Sequence, residues 1–104
     1  MRRQYDSFRQ IPESVRDACA WSVVVEFPPQ QRGYDVLCEK WKVEPHGVLH
    51  LSGVILSPRP AHEEQAWKVP WNVFSEMWFG GHCAWTVRGI SMGGGTSDVE
   101  KGRQ

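Results

Sequence analysis

Hydrophobic and polar residues alternate along several short stretches of the chain, which is the pattern of half-buried β-strands. From Trp21 to Phe27 every second residue is apolar, and Ser22 and Glu26 lie between apolar neighbours. Valine dominates this stretch, and β-branched residues are enriched in strands. We therefore predict a strand here, ended by the two prolines that follow.

Two further alternating stretches are joined by the sequence Pro-His-Gly at positions 45–47. Proline suits the first central position of a type I turn, histidine can take the second, and glycine can adopt the left-handed conformation that follows. This predicts a three-residue hairpin loop with a glycine bulge, in which Glu44 pairs with Val48.

Counting outwards from this pair predicts the register of the whole hairpin. One face becomes almost wholly apolar, while Lys42 faces His50 and Lys40 faces Ser52 on the other. A slip of one residue would place both lysines opposite leucines, because a slip moves every side chain to the wrong face. The pairs predicted for the apolar face are Val43–Leu49, Trp41–Leu51, Glu39–Gly53 and Leu37–Ile55.

Residues 70–79 admit two interpretations. Proline at the start, aromatic residues at helical spacing and a glycine at the end are typical of a helix. We favour a tight turn followed by a strand over 75–79, which a glycine pair joins as a hairpin to a last strand over 83–87. Val69 is a poor helix cap, and the region is rich in valine and aromatic residues.

These elements predict a mainly β fold: a small antiparallel sheet rolled into an open barrel, with a short N-terminal helix over 12–19. Their order resembles that of SH3-like and Sm-like barrels, a likeness of fold that implies no function. The alternative is an α+β fold with an antiparallel sheet and a helix at 70–79. Residues 1–92 are expected to form one compact domain that begins with a loosely ordered polar stretch. The glycine-rich residues 93–104 are expected to be a disordered tail.

Composition and charge make some classes of function and location less favoured than others. Twelve Lys and Arg match twelve Asp and Glu, so no bulk charge attracts the chain to nucleic acid or to an anionic membrane. Three cysteines without a paired motif are not the framework of a secreted disulfide protein. The first residues lack the apolar run of a signal peptide, and no stretch is long enough to span a membrane. We expect a cytoplasmic protein without membrane association.

The candidate catalytic and metal-binding residues lack the spacing that such chemistry needs. Histidine and cysteine do not recur at the intervals of a zinc site. No motif brings a nucleophile to a base and an orienting group. We therefore predict no catalytic residue, no metal and no cofactor, and we favour a protein that is not an enzyme.

Six tryptophans lie between Trp21 and Trp85, and they leave open whether the rings form a core or a binding surface. Trp21 and Trp41 fall on apolar faces, which favours the core. Glu39 lies on the apolar face opposite a glycine, where we expect its carboxylate to reach solvent. The candidate binding residues are Trp71, Trp78, Phe79, Trp85, Glu39, His50 and His82.

Three functions are compatible with this pattern. The first is a non-enzymatic binding module with an exposed aromatic patch around Trp71, Trp78 and Phe79, which holds a partner protein or a second copy of the chain. The second is a small-ligand pocket, with or without enzymatic activity. Its polar groups would be Glu39, His50, His82 and Cys83.

The third is nucleic-acid binding through the sheet, which the neutral charge disfavours. It requires four basic groups to converge beside an exposed ring. These are Lys40, Lys42, His50 and Arg88.

Overall fold

The computed structural model describes residues 3–29, 32–59, 69–80, 84–92 and 97–102. They form one antiparallel sheet in the strand order β1-β5-β4-β3-β2-β6-β7. The mainly β class with a short N-terminal helix is therefore confirmed. The elements are β1 (Arg3–Tyr5), a 3-10 turn (Phe8–Gln10), α1 (Glu13–Asp17), β2 (Trp21–Glu26), β3 (Gly33–Glu44), β4 (Val48–Pro58), β5 (Trp71–Phe79), β6 (Trp85–Ser91) and β7 (Ser97–Gly102).

The β3–β4 hairpin has the predicted register, beginning with Glu44 opposite Val48. The loop differs in one detail, since both His46 (φ 68°) and Gly47 (φ 70°) are left-handed, where only the glycine was expected to be. Histidine is among the residues that enter this region more readily than most. The other confirmed pairs are Val43–Leu49, Trp41–Leu51, Leu37–Ile55, Lys42–His50 and Lys40–Ser52.

A corner interrupts β3, β4 and β5 along one line. The ladder skips Glu39, Gly53 and Ser75, which lie opposite one another in register. Gly53 has a φ of 61°, a left-handed conformation that glycine adopts without a steric penalty. The predicted single apolar face is therefore wrong. The alternation of side chains reverses at the corner, so Leu37 and Ile55 face the opposite side of the sheet from Leu51.

The corner folds the tip of the hairpin back over the start of β3. Phe79 pairs with Leu49 near the tip, yet its ring lies 5.7 Å from that of Tyr34. In a flat sheet these rings would be about 30 Å apart, because Tyr34 pairs with Pro58, nine positions along β4. The sheet therefore packs against itself as an open barrel, with a folded-over half made of residues 40–44, 48–52 and 76–79.

Two hydrophobic clusters follow from this arrangement. The inner cluster lies between the two halves of the sheet, and its buried members are Val23, Val25, Val36, Cys38, Leu49, Leu51, Val54, Leu56, Trp85 and Val87. The outer cluster lies on the other face, where Val15 of α1 and Tyr5 of β1 pack against it. Its buried members are Ile11, Cys19, Leu37, Ile55 and Trp71.

Residues 71–79 form β5, so both the α+β alternative and the predicted turn before residue 75 are wrong. The neighbours of β5 are β1 and β4, whereas those of β6 are β2 and β7, so the predicted hairpin between 75–79 and 83–87 does not form either. The apparent helical spacing has a physical origin. Trp71 packs in the outer cluster, Phe74 packs in the inner one, and the corner at Ser75 separates Phe74 from Trp78.

The two strands at the sheet edges were not predicted. Residues 3–5 form β1 and residues 97–102 form β7, where the sequence predicted loose order and a disordered tail. Both segments are held by pairing with a neighbouring strand, which satisfies backbone groups at that strand's open edge. Residues 93–96 and 103–104 of the predicted tail lie outside the described residues. None of the helices in the described ranges has the length and hydrophobicity to cross a lipid bilayer.

Candidate binding surface

The folded-over half turns one face towards the inner cluster and the other towards solvent. We call the solvent side the outer face. The register arranges its side chains in rows that cross three strands. One row is Lys42, His50 and Trp78, the next is Lys40, Ser52 and Glu76, and Glu44 lies beyond the first row.

The centre of the outer face is a stacked pair of rings. His50 and Trp78 lie 4.9 Å apart between centroids and are nearly parallel, at 5°. His50 Nε2 lies 3.2 Å from Oε1 of Glu76, and its Nδ1 lies 3.3 Å from Oε1 of Glu44. The imidazole thus has a carboxylate beside each of its two ring nitrogens. Trp78 is 55% exposed, so the ring held in this way remains available to a ligand.

Charges of both signs surround this stack. Lys42 Nζ lies 3.5 Å from Oε1 of Glu44, and an exposed pair of this kind contributes about 1 kcal/mol at most. Lys40 is exposed and has no ion pair with any residue that the structure describes. Glu44 of β3 and Glu76 of β5 lie beside His50, and Lys40 and Lys42 lie along β3, so acidic and basic groups are interspersed on the outer face.

A cleft of about 360 Å³ opens on the outer face beside Lys40 and Lys42. Consecutive residues of β3 line it, although Lys40 and Lys42 point outwards and Trp41 points inwards. His50 and Ser52 of β4 also line it, so the cleft opens over the outer face of the β3–β4 hairpin. Its volume is at the lower end of the range for small-ligand sites. The lining residues are Trp21, Lys40, Trp41, Lys42, His50 and Ser52.

The edge of β3 beside this cleft is open. The last pair between β2 and β3 is Trp21 with Cys38. Residues 39–44 continue beyond it with β4 on one side and, within the described ranges, no strand on the other. We call residues 39–44 the free edge. Unpaired N–H and C=O groups along such an edge are available to another chain.

The predicted site residues divide into three groups. Trp78 and His50 lie together on the outer face, and Glu39 lies at the corner, where its side chain covers Gly53. Trp71 (7% exposed) and Trp85 (1%) are core residues instead of surface residues.

Phe79 is half-buried between Phe27 and Tyr34, so the expected aromatic patch is reduced to Trp78. His82 and Cys83 lie outside the described residues. The four basic groups do not all converge, since Arg88 lies on β6 and is separated from β3 by β2.

The sequence did not identify Trp21, Glu44 or Glu76 as part of this surface. The hairpin register already placed Glu44 two residues from Lys42 on the same face, so that signal was present. The position of Glu76 on this surface depends on the pairing of β5 with β4, which the ambiguous sequence at 70–79 did not reveal. Trp21 reaches the cleft only because the sheet folds over.

The two described cysteines are poor nucleophiles. Both thiols are buried, and burial raises the pKa of each above its ordinary value, to about 12 for Cys38. The neighbouring Cys19 raises the pKa of Cys38 further, as Glu39 does that of Cys19. Nucleophilic chemistry requires the thiolate, which these sites disfavour. Nor do the described residues contain a group of three or more His, Cys, Asp or Glu placed to hold a metal ion.

Burial of Cys38 makes the stability of the protein depend on alkaline pH. In the unfolded chain the thiol ionises near its ordinary pKa of 9.0, whereas in the folded protein it keeps its proton to about pH 12. Between these two pH values the unfolded state therefore binds fewer protons than the folded state. The contribution of Cys38 to the free energy of unfolding thus falls as pH rises above 9.0. Urea titrations across this range should give a shallower decline for Cys38→Ala than for the native protein. Parallel declines would contradict the assignment.

The comparisons with known proteins gave no relative. No protein-family model matches the chain. No curated protein and no solved structure matches it either.

Proposed function

We propose that this protein is a non-enzymatic binding module that holds a segment of a partner protein on its outer face. The observation that carries the proposal is the exposed indole of Trp78 stacked on His50. Tryptophan is enriched among the residues that dominate binding energy at protein interfaces. An aromatic side chain already fixed in place loses less conformational entropy when a partner binds.

The surroundings of the ring support a protein ligand. The carboxylates of Glu44 and Glu76 hold His50, and His50 in turn supports one face of the indole. A mixed polar rim around an aromatic centre is the common arrangement at protein interfaces. The buried thiols and the lack of a metal arrangement among the described residues give catalysis no comparable support.

A small ligand is the second candidate, and the cleft beside β3 favours it. The cleft has a suitable volume, is lined by His50, and combines the indoles of Trp21 and Trp41 with two lysines. Such a site would suit a small aromatic anion, since indoles pack against rings and ammonium groups attract negative charge.

Removal of Trp78 tests the proposed function. Peptides selected by the native protein from a phage-displayed random library should bind Trp78→Ala about ten-fold more weakly or worse, as expected for a central aromatic contact. Ile90→Ala is the matched control, because Ile90 is also exposed (48%) but lies on β6. Affinities are measured by fluorescence anisotropy, and circular dichroism shows whether both variants fold. Equal affinity for native protein and Trp78→Ala, or a library that yields no binder, would contradict the proposal.

A further inference from the structure

We infer that the partner segment binds as an added β-strand along the free edge of β3, with acidic side chains facing outwards and apolar side chains facing inwards. This inference rests on the proposed function and specifies the chemistry of its partner. Three features of the free edge lead to it: its open backbone, the cleft beside it and the alternation of its side chains.

The backbone supplies the first argument. In an antiparallel ladder alternate residues direct their N–H and C=O groups to opposite sides of the strand. About half of the free edge therefore presents both groups away from β4. A strand of about six residues, roughly 20 Å long, could pair with these groups. Peptides that add a strand to a sheet edge obtain much of their affinity from such main-chain hydrogen bonds.

The position of the cleft supplies the second argument. It is lined by three consecutive residues of the free edge, Lys40, Trp41 and Lys42, and by two residues of β4, so it opens next to the edge that an added strand would join. Trp21 also lines it, because β2 begins at this residue and leaves residues 39–44 of β3 without a neighbour from β2. The cleft and the open backbone edge thus share residues of β3.

The side chains supply the third argument. Lys40, Lys42 and Glu44 all point outwards, and Glu44 lies 3.5 Å from Lys42, so the ammonium group that an added strand would meet without an ion pair to any described residue is that of Lys40. Opposite charges in neighbouring strands attract, and like charges repel. Inward positions would lie beside Trp41 and Trp21, which pack against the inner cluster. The preferred segment therefore alternates acidic and apolar residues.

The same lysines argue against a second copy of this chain. Two copies related by a two-fold axis would join free edge to free edge, so each would meet its own sequence. In the register that places residue 41 opposite itself, Lys40 would face Lys42 of the other copy; in the register that places residue 42 opposite itself, Lys42 would face Lys42 while Lys40 would face Glu44. Lysines on an exposed edge strand are a known means of preventing self-pairing. We infer that the partner is a different chain with acidic residues, and the sedimentation of the native protein checks this choice.

Three short peptides test the inference on the full-length protein. The first alternates glutamate and valine over about six residues, the second replaces glutamate with lysine, and the third is the acidic peptide with N-methyl groups on alternate residues, made in both phases. We expect the acidic peptide to bind about ten-fold or more tightly than the basic one. N-methylation in the phase that faces β3 should abolish binding, because it removes the donors. Fluorescence anisotropy measures each affinity.

Charge reversal provides the matched variants. Lys40→Glu with Lys42→Glu should reverse the preference towards the basic peptide, whereas Arg88→Glu should not, since Arg88 is exposed on β6. Sedimentation of the native protein should show a monomer at the concentrations used.

Each contrary outcome overturns a different statement. Equal binding of the acidic and basic peptides, no effect of either N-methyl phase, or no binding at all would refute strand addition. A dimer abolished by Lys40→Glu would mean that the free edge joins copies of this chain. Library peptides that require Trp78 would still support the proposed function in these cases. If the peptides bind as an added strand but Trp78→Ala changes no affinity, only the proposed role of the stacked rings in binding is contradicted.

Discussion

Trp85→Ala is expected to lower the free energy of unfolding by about 3–5 kcal/mol, the usual cost of removing a buried aromatic side chain. The ring is 1% exposed and belongs to the inner cluster. Its Nε1 also donates a hydrogen bond of 2.8 Å to the carbonyl oxygen of Gly47. That hydrogen bond connects the start of β6 to the tip of the β3–β4 hairpin. The substitution therefore removes the packing of the ring and also a contact that stabilises the folded-over half of the sheet. Chemical denaturation followed by circular dichroism measures the loss.

Two further variants separate these contributions. Trp85→Phe retains much of the buried ring and loses the donor, so it should cost about 1–3 kcal/mol by leaving a partly buried carbonyl without its partner. Trp78→Ala removes the same side chain from a position that is 55% exposed, and should change the free energy of unfolding by less than about 1 kcal/mol. Equal losses at residues 85 and 78 would show that the inner cluster does not depend on Trp85.

Gly53→Ala is expected to cost about 1–3 kcal/mol, because a residue with a side chain is strained at a φ of 61°. A second loss of stability comes from steric overlap with a neighbouring side chain. A Cβ atom at this position would lie 2.6 Å from Cγ of Glu39, so the carboxylate side chain must move away. Thermal and urea unfolding of the variant measure the sum of the two effects.

Glu39→Ala separates strain from crowding at the corner. Alone, this exposed substitution should be nearly neutral, within about 0.5 kcal/mol. In the Glu39→Ala protein, Gly53→Ala should lower the free energy of unfolding only by the cost of the left-handed conformation. The extra loss that Gly53→Ala causes in the native protein then measures the steric clash with the Glu39 side chain. If Gly53→Ala proved neutral in both backgrounds, the left-handed conformation would not be required for the corner.

The hairpin register could be predicted because two independent features of the sequence agree. The loop at 45–47 sets the pairing of Glu44 with Val48, and the alternation of apolar residues selects the same alignment. The short helix near residue 13 and the strand from Trp21 were also found, because capping and period-two alternation are local properties.

The corner could not be predicted, because alternation was extended along β3 as if the strand were straight. Gly53 was interpreted as room for Glu39, and the glycine does provide it, but its left-handed backbone also reverses the faces. The edge strands β1 and β7 were missed for another reason. Their residues are largely polar, and their order depends on pairing with β5 and β6, which a local pattern does not reveal.

The candidate site was only partly predictable for the same reason. His50 follows from the hairpin register, but the stacking of Trp78 on it depends on β5 lying beside β4. Trp71 and Trp85 were candidate binding residues, and both are buried, because the packing of α1 and the fold-over determine which indoles are covered.

The corner also explains how such long strands fit in a small protein. β3 has 12 residues and would be about 40 Å long if it were straight, which exceeds the 36 Å longest dimension of the molecule. Because the strands bend instead of ending, one continuous sheet provides both walls of the barrel. A separate second sheet would need more connecting loops, and this chain obtains the enclosure from one corner that crosses three strands at Glu39, Gly53 and Ser75.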